Sequence, residues 1–191
     1  RMSDISRVAL FGKLNNVGYK AIEGATVFCK LRGNPYVELQ HWIAQILNQP
    51  DSDLHRIVRH VGIDTAKLAS DLTASLDRLP RGASSISDLS SWVEAAVERA
   101  WVYGSLMFGD TKVRTGYLVV GLLKTQNMRP VLVSISRQFE HIDVAALVRD
   151  FAKIVKGYVD AGLRVPKILD YGGLAGLAFA ARSAEKVRAA E

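Results

Sequence analysis

The strongest constraint on this chain is that it repeats itself. Ala96-Val97-Glu98-Arg99-Ala100-Trp101-Val102-Tyr103 parallels Ala21-Ile22-Glu23-Gly24-Ala25-Thr26-Val27-Phe28. Lys112 through Leu123 parallels Tyr36 through Leu47, and Ile142-Asp143-Val144-Ala145-Ala146-Leu147 parallels Ile63-Asp64-Thr65-Ala66-Lys67-Leu68. Three anchors in one order, with a shift of roughly 75 to 79 residues, mark a duplicated unit.

The unit reads as helical. A helix ending near Phe28-Cys29 is cut by Gly33-Asn34-Pro35, because glycine permits the turn and proline ends one helix and can open another. Val37, Leu39, Trp42, Ile43, Ile46 and Leu47 then fall at the spacing of one helix face, and Glu38 suits the positive end of that helix. Asp51 and Asp53 read as helix caps after Pro50; Leu54, Ile57, Val58 and Val61 give the next face, and Gly62 ends it. Asp64 or Thr65 caps a helix carrying Leu68, Leu72 and Leu76. The predicted fold class is all-α: a pseudo-two-fold repeat of two four-helix bundles with an extra N-terminal helix.

Repeat one spans about residues 13–78, with its first helix over Lys13 to Leu31. Repeat two spans about 91–159, with helices predicted over Ser90 to Met107, Val113 to Leu123, Val131 to Phe139 and Val144 to Val159. Phe108-Gly109-Asp110-Thr111 stands where repeat one has its Gly-Asn-Pro break. No segment reads convincingly as a strand. Val131-Leu132-Val133 has strand character, but repeat symmetry favours helix.

Three segments lie outside the repeats. Arg1 reads as an addition ahead of Met2. Ser3 or Asp4 can cap a first helix carrying Ile5, Val8, Ala9, Leu10 and Phe11, interrupted by Gly12. That is more apolar surface than a terminal arm needs, and it suggests either a groove-forming element or a helix docked on the core. Residues 79–90 have the Pro/Gly/Ser composition of a linker. Ile86 and Leu89 inside it predict that it packs on something, with Ser87 or Asp88 capping a helix that starts at Leu89. Residues 161–191 are rich in Ala and Gly and have no counterpart in repeat one; a linker helix, vector-derived sequence and a fused segment all fit.

The chain has 191 residues, 49% hydrophobic and 23% charged, enough for a real core and ordinary for a globular protein. Its net charge of +6 invites a nucleic-acid reading, yet Lys and Arg are dispersed among acids. No apolar run reaches the roughly 18 residues of a membrane-spanning helix, and the start lacks the pattern of a signal peptide. The single cysteine, Cys29, excludes an internal disulfide, which weakly favours a reducing compartment.

Catalytic constellations are missing. Gly104 to Gly109 has phosphate-loop glycine spacing, but Asp110-Thr111 follows where Lys is required. His55 and His60 are five apart, not the four of a helical zinc pair, and there is no H-E-x-x-H. Cys29 sits on an apolar face as a small core residue.

A doubled four-helix repeat without chemistry resembles the Clp N-terminal domain, the substrate- and adaptor-receiving module of Clp/Hsp100 unfoldases. Ser6-Arg7-Val8-Ala9-Leu10-Phe11-Gly12-Lys13-Leu14-Asn15, Ala25 through Leu39, Asp51-Ser52-Asp53-Leu54, Asp88-Leu89-Ser90-Ser91 and Trp101 through Leu106 are similar to one branch, ClpV, the AAA+ ATPase of bacterial type VI secretion. The resemblance covers about residues 2–160. It implies a bacterial cytoplasmic location and a partner, the N-terminal helix of the larger sheath protein, bound so that contracted sheaths can be disassembled. It also implies the AAA+ modules of a parent hexamer as partners. ATP and magnesium would belong to those modules, with no cofactor, metal, nucleic acid or membrane for this domain, no enzymatic activity of its own, and a monomeric isolated state.

In the family, the receiving groove uses the first helix and the start of the second repeat. Carried onto this sequence, those positions are Ile5, Val8, Ala9, Gly12 and Lys13, with Ile86, Leu89 and Ser90 opposite. An amphipathic helix laid in an apolar groove is a common recognition mode. Small Ala9 and Gly12 would allow close approach; Ile5, Val8 and Leu89 would form floor and wall. The rivals are an adaptor-binding domain of a protease-linked Clp ATPase, recognised by a polar face elsewhere, and a nucleic-acid binder, recognised by Lys and Arg gathered on one face.

Overall fold

The computed structural model describes residues 5–156. The proposed Ser3 and Asp4 caps, the end of the last helix beyond Lys156 and the segment 161–191 lie outside the described residues. A short helix α1 (Arg7–Phe11) precedes repeat one: α2 (Asn16–Arg32), α3 (Leu39–Asn48), α4 (Asp53–Val61) and α5 (Thr65–Asp77). Repeat two holds α6 (Ser91–Phe108), α7 (Thr115–Lys124), α8 (Arg129–Ile135), a 3-10 turn (Arg137–His141), α9 (Val144–Arg149) and α10 (Phe151–Ile154). The last two predicted helices are thus interrupted: Ser136 ends α8 before the 3-10 turn, and Asp150 divides α9 from α10.

The two repeats end their first helices alike. Gly33 and Gly109 both take left-handed backbone, φ 68° and 64°, which glycine adopts without the Cβ penalty. The next amide in each case turns back into the helix, Asn34 N–H to the Cys29 carbonyl and Asp110 N–H to the Gly104 carbonyl, both at 3.1 Å.

Two strands that the sequence did not announce cross-link the repeats. β1 (Tyr36–Val37) pairs in parallel with β2 (Asp88–Leu89), and an isolated parallel bridge joins Leu14 to Val113. Val37 therefore lies on a strand, not on the α3 face. Leu89 precedes α6 instead of opening it, and Lys13 and Leu14 precede α2. Ser90, not Ser87 or Asp88, caps α6: its hydroxyl accepts from the Trp92 N–H at 3.1 Å. The linker is stitched to repeat one by Asn34 Nδ2–H to the Pro80 carbonyl, Ala83 N–H to Gly33 and Ser87 N–H to Pro35.

Asp51 and Asp53 are not the caps of α4. Ser52 is, accepting from His55 N–H at 3.1 Å. Asp53 is fully buried and spans the repeat interface. Arg114 Nε and Nη2 each donate to it at 2.9 Å, and the Gly116 N–H donates at 3.2 Å. Burial pushes the Asp53 carboxyl above its ordinary range, against the pull of Arg114 and Gly116.

The core runs continuously through both repeats. Trp42, 1% exposed, packs α3 on α2 and donates its indole N–H to the Gly18 carbonyl at 3.1 Å. An apolar void of about 20 Å³ lies between the repeats, lined by Trp42, Ile46, Ala96, Leu118 and Leu132 among others; it is a packing gap within the core. Among the described residues, no helix is long and apolar enough to cross a membrane.

Candidate functional site

Segment 5–13 lies against the start of repeat two. α1 turns its side chains in two directions. Leu10 and Phe11 are buried, and Leu14 follows them into the core. Val8 is 85% exposed and Ile5 52%, and Ala9, Gly12 and Lys13 are also exposed. A five-residue helix showing solvent a valine at this level has an apolar face left over after docking. A Cβ at Gly12 would sit 2.8 Å from the Val8 carbonyl oxygen, so the closing turn itself needs glycine there.

The facing segment is β2 and the residue before α6. Ile86 and Leu89 are half-buried, packed against the core with part of each side chain open. Ser90 is buried by its capping role, so it positions α6 and presents little hydroxyl to a ligand.

Arg7 joins the two sides. Its Nη1 donates to Asp88 Oδ1 at 2.5 Å and Nη2 to Oδ2 at 3.1 Å, and its Nε pairs with Glu94 in the first turn of α6. The Asp88 carboxylate above all, with Glu94, raises the Arg7 guanidinium above its ordinary value. At the other end of α1, Lys112 Nζ donates to the Gly12 carbonyl at 3.1 Å. Arg7, Asp88 and Glu94 were not among the sequence-predicted site residues. Arg7 and Asp88 are 81 residues apart, and no local spacing announces their pairing.

The groups considered for chemistry are structural. Cys29 is fully buried, its thiol 3.2 Å from the Asn34 and Tyr36 carbonyls, and burial followed by the charge of Glu38 pushes it up to about 11. His41 Nδ1 accepts from Glu38 N–H at 2.9 Å and its Nε2 lies 2.9 Å from Asn34 Oδ1. His55 lies between Ser52 Oγ and the Leu47 carbonyl. Burial pushes both rings down to about 4. Seven arginines (Arg7, Arg32, Arg56, Arg81, Arg114, Arg137 and Arg149) each pair with an acid, which disperses the positive charge.

This architecture is a duplicated helical domain with an apolar N-terminal appendage docked at the head of its second half. The chain belongs to the Clp repeat (R) N-terminal domain family, whose description matches residues 13–134. It is 61% identical over 180 residues to the AAA+ ATPase ClpV1 of Pseudomonas aeruginosa, a match covering 94% of this chain and 20% of that protein. A solved structure described with the coevolution of the ATPase ClpV, the TssB-TssC sheath and the accessory HsiE protein in type VI secretion is 67% identical. Its TM-score is 0.79, over 82% of this chain and 96% of that one. A complex of a ClpV N-domain with VipB peptide shares the fold at TM-score 0.69 and 23% identity, over 81% and 94% of the two chains.

Proposed function

We propose that this domain receives a helix from the N-terminus of the larger type VI sheath protein and presents it to the ATPase modules of a parent unfoldase. The observation that carries the reading is α1. Arg7 ties it to Asp88 of β2 and to Glu94 at the head of repeat two, Val8 and Ile5 are exposed, and Ile86 and Leu89 near that tie in sequence are only half-buried. An apolar strip bounded by charged side chains suits the apolar face of an amphipathic helix. Support comes from the ClpV N-domain relatives, one of which is complexed with a VipB peptide. Ile5, Val8, Ala9, Gly12, Lys13, Ile86 and Leu89 are the proposed contacts, with Ser90 in a supporting role. The chain spans a fifth of the length of its ClpV1 relative, so ATP hydrolysis, hexamer assembly and a cytoplasmic location are proposed for the parent protein. A ring of such domains would raise a modest single-site affinity through effective concentration.

The test is fluorescence anisotropy with a labelled N-terminal sheath peptide. The expected result is binding by the wild type and a loss of about thirtyfold or more in Leu89→Arg, the size of a binding hot spot, with an unchanged helical circular dichroism spectrum. Wild-type domain that ignores the peptide, or a folded Leu89→Arg that binds normally, sinks the reading.

A further inference from the structure

We infer that Arg7 is a positioning residue for the recognition strip: by forking onto Asp88 and reaching Glu94, it fixes α1 against β2 and sets the spacing between the two apolar walls. The inference rests on the recognition reading above.

α1 has five residues, too few to be stable as a helix alone. Ser6 at its N-cap makes no side-chain capping bond. Its apolar anchors, Leu10 and Phe11, are adjacent and lie at the C-terminal end, where Lys112 also holds the Gly12 carbonyl. These ties hold one end of the helix. The N-terminal end, which carries Ile5 and Val8, is held by Arg7. Val8 adjoins Arg7 in sequence and Leu89 adjoins Asp88, so the Arg7–Asp88 fork brackets the two residues proposed as opposing walls. A planar guanidinium on a carboxylate fixes orientation as well as distance, which a lysine ammonium does not. The three side chains are partly exposed, so each pair alone is weak and salt-screened. One arginine on two acids ties α1 at once to β2 and to the first turn of α6, and that double reach is what gives the link its leverage. Recognition should therefore weaken with salt through the receptor, even for a peptide bound by apolar contacts.

Two readouts on the whole chain test this. The first is hydrogen exchange at the α1 amides, Leu10 N–H to the Ser6 carbonyl and Gly12 N–H to the Val8 carbonyl, without peptide. The second is anisotropy with the labelled sheath peptide. Arg7→Ala is expected to speed α1 exchange about tenfold while leaving α2 and α6 protected, and to weaken peptide binding about fivefold. Arg7→Lys should recover only part of both losses. Unchanged α1 exchange in Arg7→Ala overturns the clamp; faster exchange with unchanged affinity overturns its role in recognition. Should Arg7→Ala lose protection throughout, Asp88→Asn, which leaves the Arg7–Glu94 pair, is read by the same two criteria. A wild type that does not bind the peptide removes the recognition reading first, and the positioning role with it.

Discussion

The two repeats solve the same packing problem with the small residue on opposite sides. A shift of 75 carries Gly18, Ala21, Ile22, Ala25 and Cys29 of α2 onto Val93, Ala96, Val97, Ala100 and Gly104 of α6, all buried. From the capping glycines through α3 and α7 the shift is 76, since α6 is one residue longer. Across the first helix pair, repeat one places Gly24 against Gln45; the matched positions in repeat two are Arg99 and Gly121. Polar roles diverge as well. Asn34 meets the His41 ring, where Asp110 accepts from the Tyr117 hydroxyl at 2.9 Å. Glu38 forms a capping box with His41 inside its own repeat, whereas Arg114 reaches across to Asp53. Repeat one closes its helix start by itself; repeat two leans on repeat one to close its own.

The sharpest way to break this asymmetry is Asp53→Ala. It strips Arg114 of its carboxylate and leaves the Gly116 N–H without that acceptor. Loss of about 3 kcal/mol is expected from urea unfolding, against about 1 kcal/mol for Glu38→Ala, which costs a cap. Equal losses would mean that the reach across the interface carries no special weight.

Acid should act through repeat one, which alone has buried histidines among the described residues. Burial pushes His41 and His55 down to about 4 in the folded chain, against 6.5 for the ordinary ring. Between those values the unfolded chain takes up protons that the folded one refuses, so stability falls as pH drops from 6.5 toward 4. The upper bound is about 3 kcal/mol per ring. Urea midpoints across that range should slope steeply for the wild type and flatten in the His41→Gln/His55→Gln variant; an undiminished slope would assign acid sensitivity elsewhere.

The helix crossing gives the smallest and most discriminating contrast. A Cβ at Gly121 would lie 2.9 Å from the Ala100 backbone nitrogen, which cannot swing aside, whereas one at Gly24 would meet the Gln45 Oε1 at 2.6 Å, the end of a flexible side chain. Gly121→Ala should cost about 2 kcal/mol. Gly24→Ala should be within about 1 kcal/mol of neutral, since helix propensity offsets the displaced amide. Thermal melts of the two variants decide it, and similar shifts would show that the crossings are equally tolerant.

The duplicated helices were legible because periodic apolar faces and turn glycines are local signals. Gly33, Gly62 and Gly109 all close helices in left-handed backbone, and Asp64 caps α5 through the Lys67 N–H. The strands were not legible: two residues each leave no room for alternation. Asp53 looked like a cap because an acid before Leu54 usually is one, and its true partner is 61 residues away. The apolar surplus of Ile5, Val8, Ala9, Leu10 and Phe11 was visible; its division into buried Leu10 and Phe11 and exposed Ile5, Val8 and Ala9 was not. The arginine that holds α1 was hidden for the same reason as Asp53's partner.

The crossed strand pairs have a consequence for how the chain comes together. Leu14 joins the segment just before α7, and β2, just before α6, joins the segment just before α3. Contacts between Leu14 and Val113 close a loop of about a hundred residues, whose entropy must be met before the bridge contributes anything. Bundles of sequential helices fold quickly because their contacts are local. Here the last pairing waits until both halves of the chain exist, so the domain should fold more slowly than its helix content suggests, and as one cooperative body.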